Sequence, residues 1–495
     1  MRKKRIVALT LSSLVAIGVL GGCGASNEEA KSDTSNSGTT AEGKLEPVKL
    51  KYYTIGAPPK DLAIVNEKIN EYTKEKINAE LEINFIDWGD YTEKMQMKSN
   101  SGEEFDLAFT CSWAYDYQMN ARKGAFLDIT DMIQEYGKDM LEVIHPQFIE
   151  GNKIDGKLYA VPTNKELGQQ RVLRWNKKYV DKYNIDITKY TTFESLEPVF
   201  AEIKAGEPSL KTILRPPSPD TELALDLSLN GAIAFDMEAA DPKFEIKYEN
   251  EKYKQFLDTM RKYYEAGYIR SDQVAYWASG SSEEDKSGEW VVDVATTQPY
   301  ADYLWSSGLG YEVVSQPMTV PYTLNTSVSG SMVAVSSTSK NPERAVMFLN
   351  LLNTDEYLRN LVNYGVEGTH YTKLDGPYIE QTQQGVDNYN VPAFSLGNVF
   401  LTYMLPGTPE DKWEKFEEFN DSSVPSKMLG FSFDSAPVKN EIATINSVTE
   451  EFNNALVSGS VNPNEHLPKA VEKLKAAGID KVIAEMQKQY DAWKK

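Results

Sequence analysis

Val48-Lys49-Leu50-Lys51-Tyr52-Tyr53-Thr54-Ile55 is the stretch from which the fold is read. It is rich in β-branched and aromatic residues and stops at a break, Gly56-Ala57-Pro58-Pro59, so it reads as a strand. A helix is predicted from about Asp61, with Leu62, Val65, Ile69 and Tyr72 on one face. Ala79 to Ile86, with Leu81, Ile83 and Phe85 alternating, is a second strand. Asp87-Trp88-Gly89-Asp90 turns into a helix around Tyr91 to Lys98. Phe105 to Thr110 is a short buried strand leading into Cys111-Ser112-Trp113. Strand and helix in alternation predict a parallel sheet covered by helices. Ligands of such sheets bind beyond the carboxyl ends of the strands, and Trp88 and Trp113 both fall there.

The totals narrow the classes. A chain of 495 residues is too long for one core and implies two or more domains. Its 41% hydrophobic and 25% charged residues are those of a globular protein. A net charge of −21 repels nucleic acid and anionic headgroups, so nucleic acid is not an expected partner. The three histidines, His145, His370 and His466, have no second ligand at helical spacing, and there is no phosphate-binding glycine loop or nucleophile elbow. No metal and no cofactor is expected. With 73 Asp and Glu, a pair of carboxylates flanking a sugar bond is always available on paper and says nothing by itself.

The N-terminus has three parts: basic Arg2-Lys3-Lys4-Arg5, an apolar run from Ile6 to Leu20, and Leu20-Gly21-Gly22-Cys23. That is the layout of a secretory signal, and the run is short of the roughly 20 residues that span a bilayer. Its ending resembles the bacterial lipobox. The resemblance implies a signal peptide over 1–22 and a lipid-carrying Cys23 (diacylglyceryl and palmitate). An ordinary signal peptide with a chance cysteine is the bland alternative. Residues 23–44, small and polar, read as a flexible linker. With Cys23 lipidated, Cys111 has no disulfide partner. It reads as a small buried residue at a strand end, with a nucleophile as the alternative.

Downstream, the turn-rich Gly151 to Lys157 leads into a strand, Leu158-Tyr159-Ala160-Val161-Pro162, and then Val172 to Lys178. The order Asp155-Gly156-Lys157-x-Tyr159-x-x-Pro162, then Trp175-Asn176-Lys177, resembles the family-1 extracellular solute-binding proteins, the receptors of ATP-driven importers. Phe193-Glu194-Ser195-Leu196, Val291 to Tyr303, Gly330 to Val335 and Ser339 to Ala345 continue the resemblance. The tail, with Tyr364 to Tyr371, Gly430 to Asp434, Pro437 to Glu441 and the terminal helices, resembles the extension of long, lipid-anchored Gram-positive members. Local signals agree. Asn341 caps and Pro342 opens a helix whose apolar face is Ala345, Phe348, Leu349 and Leu352. Val438, Ile442, Ile445, Phe452 and Leu456 start a run of three amphipathic helices, the last carrying Ile483, Met486, Tyr490 and Trp493, which reads as a packed cap.

The resemblance implies an α/β, two-lobe periplasmic-binding-protein-like fold (type II), with hinge-linked lobes, a central ligand cleft and a helical C-terminal extension. Lobe 1 is expected over 45–160 and 327–375, and lobe 2 over 163–325 and 376–495. The implied function is capture of a carbohydrate, an oligosaccharide, by lobe closure. The implied product of that capture is delivery to the transmembrane permease subunits of an ABC importer with its cytoplasmic ATPase. The protein would be a monomer anchored by lipid on the outer face of the cytoplasmic membrane, and not an enzyme. A glycoside-active enzyme, or a sensor or peptide-binding protein on the same scaffold, is the alternative.

Sugars present C–H faces that pack on flat rings and hydroxyls that need planar polar partners. Candidate ligand-binding residues by that chemistry are Trp113, Trp88, Asp87, Lys165, Glu166, Gln298 and Tyr300, with Asp434 from the tail. Glu367 and His370 join them as residues near the expected hinge. Trp277 is a weaker candidate, and Trp413 reads as a surface helix residue.

Overall fold

The computed structural model describes residues 45–217 and 223–495. The signal peptide, the linker over 23–44 and Cys23 lie outside the described residues, apart from the linker's border at Leu45. The body comprises Pro47–Lys495.

The opening alternation folds as its pattern dictates. β1 (Val48–Ile55), α1 (Leu62–Ile77), β2 (Ala79–Ile86), α2 (Tyr91–Ser101) and β3 (Leu107–Thr110) follow in order. β1 pairs in parallel with β2 over its whole length, from Val48 opposite Ala79 to Ile55 opposite Ile86, and with β3 on its other edge. α1 buries Val65 and Ile69 as expected, while Tyr72 lies at the edge and donates its hydroxyl to Asp355 at 2.6 Å. The sheet is not wholly parallel. Its order is completed by Met332–Val335 and Ala160–Pro162, and Met332–Val335 runs antiparallel to both neighbours. This reversal follows from the topology: the strand brings the chain back into a sheet it had left at Pro162.

The two largest apolar cores among the described residues share no residue. One is built from residues between Leu50 and Leu167 and between Val328 and Leu396. The other runs from Leu173 to Val292 and from Met428 to Tyr490. The chain therefore passes between the cores three times, near 167–173, 294–328 and 396–428. The second core holds an antiparallel sheet of Val313–Pro317, Gln170–Asn176 and Val292–Thr297, in that order.

Two expectations about the C-terminal half change. Residues 376–404, which the sequence places with lobe 2, pack on the first core through Tyr389, Val391 and Leu396. The terminal helices Lys439–Val457, Pro463–Ala476 and Ile479–Trp493 are not a cap laid on a finished lobe. Ile445, Leu456, Leu474, Val482 and Met486 are members of the second core itself. The helix Pro342–Thr354 starts at Pro342 and buries Ala345, Phe348, Leu349 and Leu352 as predicted, but the Asn341 side chain makes no capping bond.

Candidate functional site

β2 ends at Ile86 and β3 at Thr110, and the chain just beyond each carries a tryptophan. Apolar side chains on both strands are buried, so the indoles are pushed off the sheet's end rather than into it. Trp88 is 45% exposed and Trp113 52%. Their rings lie 6.3 Å apart at an interplanar angle of 21°, in a stacked arrangement. Phe394 backs both, at 6.2 Å from Trp88 and 6.3 Å from Trp113, and Phe109 lies 5.8 Å from Trp113.

This platform is held in place. The Trp113 indole N–H donates to the Gly330 carbonyl at 2.9 Å, and the Ser112 N–H donates to the Ser329 carbonyl at 2.9 Å. The loop beyond β3 is thus fastened to the segment that carries the chain from the second core back to the first. Trp113 spends its polar edge inside the protein and keeps ring surface for solvent. Asp87 is exposed beside Trp88, and its carbonyl accepts the N–H groups of Asp90 and Tyr91. Cys111 is buried, and burial pushes its thiol up to about 11. Its burial just past the end of β3 is that of the small buried residue expected from the sequence.

Lys165, Glu166 and Gln298 come together. They line one cavity of about 280 Å³ with Thr296, Thr326 and Ser327. Lys165 Nζ lies 2.6 Å from Glu166 Oε1. Asn420 fixes the Lys165–Leu167 backbone, accepting from the Leu167 N–H at 2.8 Å and donating to the Lys165 carbonyl at 2.9 Å. Gln298 directly follows the strand Val292–Thr297, so first-core and second-core residues face each other here. Tyr300 stands at the start of the helix Ala301–Leu309 in a left-handed conformation and donates its hydroxyl to Asp411. That bond raises the phenol above its ordinary value.

Sequence reasoning missed two residues of this region. Lys412, next to Asp411, has its ammonium 4.0 Å from the Trp413 ring. Burial presses it below the usual lysine range, and Glu166 pulls the other way, so it is an electrostatic neighbour of the cavity. Trp413 is half-buried, not a free surface residue: its N–H donates to the Thr402 carbonyl at 3.0 Å. Phe394, the other omission, sits in a single helical turn, Ala393–Ser395, with no periodicity to reveal it.

Glu367 and His370 are elsewhere. The turn that carries them belongs to the first core and leads into the hairpin Tyr371–Lys373 with Ile379–Gln381. Glu367 is exposed and His370 fully buried. His370 Nδ1 accepts from the Val366 N–H at 2.9 Å, and Nε2 lies 3.3 Å from Asp61 Oδ2. Both ring nitrogens are engaged: Nδ1 closes the turn on itself and Nε2 ties it to the start of α1. Gly365 is required there: at φ +84° a Cβ would stand 2.7 Å from His370 Nδ1. Trp277 packs against the second core. Asp434 lies apart from Glu166 and Gln298, in the tail, where its backbone N–H donates to Gln489 Oε1 at 2.8 Å.

Known proteins share this architecture. Residues 67–370 match the family described as bacterial extracellular solute-binding protein, and residues 427–495 match a domain of unknown function. The carbohydrate ABC transporter substrate-binding protein of Streptococcus pneumoniae is 33% identical over 475 residues, 93% of this chain and 94% of the relative. The crystal structure of the N-glycan transport solute binding protein of S. pneumoniae superposes with a TM-score of 0.78 at 33% identity, covering 90% of this chain and 99% of that one. Its complexes with Man1GlcNAc and Man5GlcNAc, at 32% identity and the same 90% of this chain, give 0.67 and 0.63 and cover 99% and 98% of those chains.

Proposed function

The chain belongs to the bacterial extracellular solute-binding protein family, and from that premise we propose that it captures a carbohydrate for an ABC importer. The observation that carries the sugar reading is the exposed, stacked pair Trp88 and Trp113, backed by Phe394, just beyond the carboxyl ends of β2 and β3, the strands on either side of β1. Flat rings take the C–H face of a pyranose. Lys165, Glu166 and Gln298, converging from the two lobes, supply planar and charged partners for hydroxyls. Lobe 1 is read as 47–160 with 327–404, lobe 2 as 163–325 with 422–495, and the helix Lys412–Asp421 joins them. The lobes close on the ligand, and the ligand shifts that balance only by its preference for the closed form. The receptor releases its sugar unchanged to a permease pair driven by a cytoplasmic ATPase.

Trp113→Ala is expected to weaken oligosaccharide binding by about 1–3 kcal/mol, the range for truncating a stacking aromatic. Trp113→Phe is expected to keep part of that loss at bay by retaining a ring. Titration calorimetry with a panel of neutral oligosaccharides measures both, and recovery of the sugar intact separates a receptor from a glycosidase. An unchanged dissociation constant in folded Trp113→Ala protein would retire the platform.

Cys23 is read as the lipid-bearing residue that tethers the protein to the outer face of the cytoplasmic membrane. Cys23→Ser protein is expected in the medium or the soluble fraction. Its retention in carbonate-washed membranes would count against the anchor.

A further inference from the structure

A second, larger cavity lies between the first lobe and the tail. It measures about 610 Å³, within the range of small-ligand sites, and has Arg122 and Asp155 on one side and Phe431, Asp434, Gln489 and Trp493 on the other. Its polar walls are fixed. Arg122 donates to the Ser432 carbonyl at 3.1 Å and to Ser432 Oγ at 2.8 Å, and reaches Asp155 Oδ2 at 3.4 Å. Asp434 and Gln489 are clamped reciprocally: the Asp434 N–H donates to Gln489 Oε1 at 2.8 Å, and Gln489 Nε2 donates to the Asp434 carbonyl at 3.0 Å.

Its aromatic wall is open. Trp493 is 44% exposed although the rest of its helix face, Met486 and Tyr490, is buried. Its ring rests on Phe431 at 5.8 Å and Tyr490 at 5.7 Å, which hold it from one side and leave surface on the other. Packing alone does not require so large a side chain at the end of the final helix. One guanidinium against the Asp155 and Asp434 carboxylates leaves the cavity net negative, which disfavours acidic sugars.

The two cavities border the same helical turn, Asn325–Val328. Thr326 and Ser327 line the smaller one. Asn325 donates to the Met428 carbonyl at 2.8 Å and the Phe431 carbonyl at 3.2 Å, and accepts from the Gly430 N–H at 2.8 Å, holding the wall of the larger one.

We propose that the larger cavity is a second saccharide subsite, one that takes a neutral hexose or N-acetylhexosamine unit of a long or branched glycan. The C-terminal segment matched as a domain of unknown function supplies its aromatic wall. This rests on the carbohydrate reading above and adds to it a source of length selectivity.

The test compares wild type, Trp493→Ala and Asp155→Asn by calorimetry against neutral oligosaccharides of increasing length, Man1GlcNAc and Man5GlcNAc among them. Wild type is expected to bind the longer sugar more tightly. Trp493→Ala should keep its affinity for the shorter within twofold and lose at least tenfold for the longer. Asp155→Asn should lose about threefold for the longer alone. Asp155 sits in an exposed turn at φ +51°, a conformation that asparagine tolerates, so this variant folds even if Trp493→Ala does not. Equal losses at both lengths, or none at either, overturn the subsite and leave the receptor standing. Failure of wild type to bind any sugar in the panel overturns the carbohydrate reading and the subsite with it.

Discussion

Arg359→Leu is expected to lower the stability of the protein by about 3–5 kcal/mol, the cost of leaving three buried acceptors without their donor. The Arg359 side chain is fully buried in the first lobe, and the charge effects on it come from tyrosines rather than a carboxylate. Burial lowers its guanidinium to about 9, which still leaves it protonated at neutral pH. Three acceptors hold the charge: the Asn398 carbonyl at 3.0 Å, Asn363 Oδ1 at 3.0 Å and the Ala393 carbonyl at 2.9 Å. Leucine fills much of the space but leaves these acceptors buried and unsatisfied, at about 1–3 kcal/mol each before relaxation. The effect extends to function, because the segment Arg359 grips is the one that carries Phe394 beneath the tryptophan pair. Urea unfolding should show the lower midpoint. Calorimetry on the surviving folded protein should show weaker sugar binding, although Arg359 touches no ligand. A midpoint shift worth under 1 kcal/mol would mean that water or a local shift satisfies the acceptors and that Arg359 is not what positions the loop.

That loop also marks where the sequence stops being readable. β1 and β2 follow their expected bounds to the residue, since apolar residues alternating with polar ones between turn signals bury one face only as a strand. β3 begins two residues later than its apolar run suggests. The Asp106 carboxylate there accepts from the Lys51 N–H at 2.8 Å and from Ser339 Oγ at 2.5 Å, turning the strand's first residues into a polar clasp. Trp88 and Trp113 were legible because strand ends are local features. Phe394 was not, because it is placed by a long-range grip from Arg359. Lys412 and Trp413 show the same limit: a helix rich in Glu and Lys reads as solvated until tertiary contacts reveal which side it turns inward. His370 fails in the opposite direction. Its neighbourhood in sequence suggests a hinge, while its two ring nitrogens are committed to Val366 and Asp61. The lobe boundary at 375 fails for a related reason, since Tyr389, Val391 and Leu396 give no sequence signal of which core they will join.

Asp293→Ala is the second substitution with a large expected cost, again about 3–5 kcal/mol, because it strips the partner from a buried charge in the other lobe. Asp293 stands opposite Arg174 across two paired strands and binds it in bidentate fashion, at 2.9 and 2.6 Å. Arg215 reaches the same carboxylate at 3.4 Å while holding Glu284 at 2.9 Å and Asp285 at 2.8 Å. Trp290 lies under both guanidinium groups, 5.4 Å from that of Arg174 and 4.5 Å from that of Arg215. Burial works to lower Arg174, and its bonds to Asp293 override that and hold it above the ordinary arginine value. Alanine leaves two cations facing each other over one indole. The strand that loses this tie runs on to Thr296, Thr297 and Gln298 at the cavity between the lobes, so the damage should reach ligand binding through the placement of Gln298. The double variant Arg174→Met with Asp293→Leu separates the causes. Replacing a buried ion pair by apolar groups of similar size is often near neutral, so the double variant should recover at least half of the lost stability in urea unfolding. If instead the double variant is as unstable as Asp293→Ala, the second lobe depends on the carboxylate's hold on Arg215, and the Arg174 pair contributes little of its own.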